Sequence, residues 1–147
     1  MKTLYRHKQV GRFSLFGTGA GILLILALVG QLGAHPMLLA VLGLIVFAGV
    51  MLSSLTVVVT PSSLVFWFGP GVLRKTVPLA EIASVASVRN PWYYGIGLRA
   101  TPRGMLYNVS GLSAVEVTRR DGGRFRVGTD EPDRLCASLR QAMARFE

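Results

Sequence analysis

The sequence predicts a two-helix transmembrane hairpin followed by an all-β barrel of about seven strands, closed by a C-terminal capping α-helix. Three observations carry this reading. Between Arg12 and Arg74 no Lys, Arg, Asp or Glu occurs. From Leu55 onward, short β-branched and aromatic runs alternate with Gly, Pro and Asp-Gly turn signals. Near the C-terminus, Leu135, Leu139 and Met143 recur at helical spacing.

Composition sets the limits. Of 147 residues, 51% are hydrophobic and only 16% charged, which is too apolar for an ordinary soluble domain. A single cysteine, Cys136, excludes an intramolecular disulfide framework and a Cys-rich metal site. His7 and His35, the only histidines, leave little material for a His-based metal site or a catalytic triad.

Residues 1–12 carry Lys2, Arg6, Lys8 and Arg12 and no acid, and read as a basic cytoplasmic N-terminus. Residues 13–55 read as the hairpin, with spans at 13–32 and 36–55. Each span is about 20 residues, the length that crosses a hydrocarbon core of about 30 Å as a helix. Gly33, Ala34 and His35 form the turn, and Pro36 suits the first position of the second helix. A cleaved signal peptide fits poorly: the first apolar run is too long, and cleavage after Ala34 would put Leu32 where a small residue belongs. The basic N-terminus and uncharged turn place both termini in the cytoplasm and His35 outside, in a multi-pass inner-membrane protein. Gly17 and Gly21, a G-x-x-x-G, and Gly49 on the second span are candidates for helix packing, within the hairpin or between copies.

Residues 56–147 read as a cytoplasmic module. Strands are expected at 55–60, 64–68, 72–79 and 82–88, with a helical turn around Ala80 and Glu81. Residues 97–101 and 105–109 flank the turn Pro102-Arg103-Gly104. Residues 113–120 alternate with period two, and Asp121-Gly122-Gly123 turns the chain into a return strand at 124–128. Thr129 or Asp130 suits the cap of the closing helix, with Glu131, Pro132 and Asp133 in its first turn. Leu135, Cys136, Leu139, Ala142 and Met143 form its apolar stripe, so Cys136 reads as a small core residue.

Strands followed by one C-terminal amphipathic helix make the plan of the pleckstrin-homology fold. The hairpin leading directly into strand-turn-strand, with Val77-Pro78-Leu79-Ala80-Glu81-Ile82 and Val85-Ala86-Ser87-Val88-Arg89-Asn90-Pro91, resembles bacterial membrane proteins with pleckstrin-homology-like domains. Trp92-Tyr93-Tyr94-Gly95-Ile96-Gly97-Leu98-Arg99 and the stretch from Asp121 to Thr129 fit the same pattern. The resemblance implies a barrel and a membrane anchor. It transfers no catalytic or binding residue.

Enzymatic chemistry finds no support. Neither G-x-S-x-G, P-loop, H-E-x-x-H nor C-x-x-C is present, and Gly17, Gly19 and Gly21 follow no strand, as a dinucleotide loop would. Glu81, Glu116 and Asp121 are too widely spread for a carboxylate pair. No cofactor or metal is expected. Two clusters remain for binding. Arg119, Arg120, Arg124 and Arg126 surround the Asp121-Gly122-Gly123 turn and suit anionic lipid or phosphate, unless they alternate outward as a merely solvated face. Trp92, Tyr93 and Tyr94 suit a membrane interface or a protein partner, unless they fill the barrel. A membrane-tethered module of this kind is a poor reader of nucleic acid. The sequence therefore points to a non-enzymatic, membrane-anchored binding module. The alternative is a structural protein that oligomerises through its hairpin.

Overall fold

In a computed structural model, residues 2–95 and 97–146 are described. The chain opens with a strand, β1 (Tyr5–Val10), not with a tail. Its alternation sends Arg6, Lys8 and Val10 outward and turns Tyr5, His7 and Gln9 inward. Two apolar helices follow, α1 (Arg12–Leu32) and α2 (Pro36–Met51). The β-rich region then runs through β2 (Ser54–Val59), β3 (Ser63–Phe68), β4 (Val72–Pro78), β5 (Ile82–Arg89), β6 (Gly97–Thr101), β7 (Gly104–Asn108), β8 (Ser113–Arg119) and β9 (Arg124–Gly128). The closing helix is α3 (Pro132–Met143).

The second helix is shorter than the 20-residue span expected from hydropathy. It ends at Met51 because Ser54 to Val59, rich in β-branched residues, pairs along β1 on one side and β3 on the other. At 1.5 Å per residue α2 is about 24 Å long and α1 about 32 Å. Only α1, among the described helices, is long and apolar enough to cross a bilayer. Just 6% of its most apolar stretch is buried, so it is not the core helix of this fold.

The helices leave and rejoin the sheet at one point. The Gly11 N–H donates to the Ser53 carbonyl at 2.8 Å, closing the β1–β2 ladder just where the chain departs. A side chain at Gly11 would collide with the Leu52 and Val109 carbonyl oxygens. Gly69, at φ 50°, lets the β3–β4 turn approach the Val50 and Met51 carbonyls in the same way.

The strands form two sheets, ordered β1-β2-β3-β4 and β5-β8-β9-β7-β6. This corrects the expected barrel: among the described residues no strand pairing joins the two sheets. The second sheet also contains a parallel pair, β7 with β9, because the β6–β7 hairpin docks on β9 instead of continuing an up-and-down order. One core lies between the sheets. Leu55, Val57, Phe66 and Phe68 face Tyr107, Val115, Val117 and Phe125 across it. The Phe66 and Tyr107 rings meet edge to face at 4.8 Å. The amphipathic α3 adds Leu135, Cys136, Leu139 and Ala142 to this core, the stripe that its spacing predicts. Neither α1 nor α2 contributes a residue to it.

Candidate functional site

The junction between helices and sheets defines two ends of the β-rich region. The near end holds Gly11, Phe13, the β3–β4 turn, the β5–β6 connection and the β7–β8 loop. The far end holds the 60–63 turn, the 79–81 turn and the β8–β9 turn, where the Arg120 N–H donates to the Glu81 carbonyl and the Leu79 N–H to the Ser62 carbonyl.

Trp92, Tyr93 and Tyr94 lie at the near end, on one turn of 3₁₀ helix after Pro91. They do not fill the core. Trp92 is 81% exposed and Tyr93 66%. Successive rings stack edge to face at 5.9 and 5.3 Å, which stiffens the turn. Trp92 and Phe13, the second residue of α1, line one apolar cavity of about 360 Å³ together with Gly95, Gly111 and Leu112. The most exposed aromatic side chains of the β-rich region thus stand beside the root of the apolar helix.

The arginines expected around the Asp121 turn do not act as one group. Arg126 is buried and spent. Its Nε and Nη2 donate to Glu116 Oε2 at 2.9 Å, and its Nη1 donates to Asn90 Oδ1 at 3.0 Å. Cross-strand register puts Glu116 directly opposite Arg126, which is why the two meet. Arg119 is half-buried, with its guanidinium 5.4 Å from the Phe125 ring centre. Arg120 and Arg124 are exposed, but at the far end. Strand β8 spans the seven residues from Ser113 to Arg119, about 23 Å of separation from the helix roots.

Of the three glycines expected to pack the helices, Gly17, Gly21 and Gly49, two serve the α1–α2 contact. A side chain at Gly49 would run into Thr18, and one at Gly21 would press on Ile45. Gly17 has nothing within 4 Å and lies outside that contact.

A cluster not foreseen from the sequence ties β1 to the start of α3. His7 Nε2 lies 2.5 Å from Asp130 Oδ1, and the Tyr5 hydroxyl donates to Glu131 Oε2 at 3.0 Å. Burial first, and then the Glu131 hydrogen bond and charge, push the Tyr5 phenol above its ordinary range. Asp130 therefore pairs with His7 and does not cap α3, while the Thr129 hydroxyl accepts the Glu131 N–H at 3.0 Å. Burial also raises the Cys136 thiol. Among the described residues no group of three or more His, Cys, Asp or Glu side chains is placed to hold a metal ion. No protein-family model matches the chain, and no curated protein matches it.

Proposed function

We propose that the chain is a non-enzymatic, membrane-anchored binding module, with α1 and α2 inserted in the bilayer as a hairpin and the β-rich region resting on the inner face. The observation that carries this is the root of α1: a long, exposed apolar helix, flanked at its base by exposed Trp92 and Tyr93. Indole and phenol rings favour the headgroup layer, where apolar body and polar tip are both satisfied. Because β1 and β2 are hydrogen-bonded neighbours, a hairpin leaving between them keeps both termini on one side. The Lys2, Arg6, Lys8 and Arg12 flank assigns that side to the cytoplasm. With α2 about 6 Å short of the hydrocarbon thickness, local thinning or tilt of the pair absorbs the mismatch. The two sheets, single core and C-terminal helix support a pleckstrin-homology-like reading of the module, and the parallel β7–β9 pair is its departure from that plan. Its partner is either a protein or anionic lipid.

Thiol labelling tests the arrangement. In a Cys136→Ala background, His35→Cys should react with an impermeant reagent in intact cells, and Arg120→Cys should react only after lysis. Labelling of position 120 in intact cells, with position 35 silent, would overturn it. Gly17 favours a second reading, assembly through the helices, because it presents an open small-residue face outside the α1–α2 contact. Gly17→Leu should then abolish crosslinked oligomers, and unchanged crosslinking would remove that reading.

A further inference from the structure

Strands β1 to β4 contain no Asp or Glu, and the first acid of the chain is Glu81. On the outer face of this four-stranded sheet, register aligns Lys8 of β1 with Thr56 of β2 and Trp67 of β3 in one cross-strand row. Arg74 of β4 extends the row, its guanidinium stacked 4.7 Å from the Trp67 ring centre. Arg6 follows two residues along β1 on the same face. Lys8, Arg6 and Arg74 are exposed, and Trp67 is half-exposed.

We infer that this face, and not the β8–β9 turn, is where the protein binds anionic phospholipid, through the phosphodiester headgroups of the leaflet that its helices enter. The inference rests on the membrane anchorage proposed above. Height decides between the two basic surfaces. Lys8 stands four residues before Arg12, about 14 Å along an extended strand from the start of α1. The headgroup layer itself occupies roughly 5 to 7 Å beyond the hydrocarbon. The row therefore lies within about one screening length of it, 8 to 10 Å in physiological salt. Arg120 and Arg124, about 23 Å from the near end, lie about two screening lengths beyond that layer. The row also combines cations with a ring. Lys8 and Arg74 meet phosphate, and Trp67 offers the amphipathic surface that an interface favours.

The test uses the full chain in nanodiscs. Trp92→Phe leaves Trp67 as the single tryptophan, since the chain has two. Trp67 emission is then followed as phosphatidylglycerol replaces phosphatidylcholine. A saturable response is expected, weakened by added salt. Lys8→Gln keeps the Arg74–Trp67 stack and should need about five-fold more phosphatidylglycerol. Arg120→Gln/Arg124→Gln should leave the response unchanged. An absent response, an equal response in the Lys8 variant, or loss in the Arg120/Arg124 variant would each overturn the inference while leaving the anchorage standing. The same response to soluble glycerophosphoglycerol or inorganic phosphate would overturn the assignment to a lipid surface. A chain that stays out of the discs would sink the anchorage and the inference together.

Discussion

Leu139 is fully buried between α3 and the two sheets, and nothing polar is at stake in its contacts. Leu139→Ala should therefore lose about 2 to 5 kcal/mol of unfolding free energy, read by denaturant titration. A loss below about 0.5 kcal/mol, the range of surface changes, would mean that α3 is not docked. Glu116 tests a different kind of burial. It is the carboxylate partner of a buried guanidinium, and Asn90 supplies the second acceptor. Glu116→Gln leaves Arg126 without a compensating charge, and should cost about 3 kcal/mol, against about 0.5 or less for Arg120→Ala. Equal costs would mean that the pair is solvated. Leu139 was legible from spacing alone, because helical periodicity reports burial directly. Arg126 was not. A strand's alternation puts Arg124 and Arg126 on the same face, and only the register with β8 shows that one of them has a carboxylate opposite.

At the scale of elements, β5 to β9 and α3 were largely readable from turn signals and periodicity, whereas β1 was hidden. Its inward residues are Tyr5, His7 and Gln9, so the alternation that marks a strand carries no apolar–polar contrast. Its inward residues meet polar partners: Tyr5 bonds Glu131, His7 bonds Asp130, and the Gln9 amide nitrogen donates to the Ser110 carbonyl. The end of α2 was misplaced for the converse reason, since Ser54 and Leu55 continue the hydropathy of a span but belong to a ladder. The Tyr5 contact gives β1 a pH signature. Its phenol is raised above the unfolded value near 10, so it stays neutral in the folded chain while the unfolded chain ionises. The stabilisation is thus intact below about pH 10 and is lost as pH rises above that value. The wild-type chain should lose stability there more steeply than Tyr5→Phe, and identical slopes in thermal scans against pH would disprove the contact.

For the molecule as a whole, the helices are an insertion within a β-hairpin. Val10 pairs with Ser54, and the core between the sheets takes no side chain from α1 or α2. The fold of the β-rich region and the proposed anchorage are therefore separable in energy as well as in space. Replacing residues 12–52 with Asn-Gly, a two-residue turn whose twist matches antiparallel strands, should join β1 to β2 in their native register, because Gly11 and Ser53 are the hydrogen-bonded pair that such a turn needs. The main packing lost is that of Leu52, a half-buried side chain, worth about 1 kcal/mol. The shortened chain should be soluble without detergent, unfold cooperatively, and keep the steep dependence on Leu139 argued above. It should also stop sedimenting with membranes, because the exposed apolar surface of Phe16, Leu23, Met37 and Phe47 goes with the helices. A chain that aggregates or melts without cooperativity would show that the helices hold the sheets together. One that folds and still sediments with neutral vesicles would move the anchorage from the helices to the Trp92 turn.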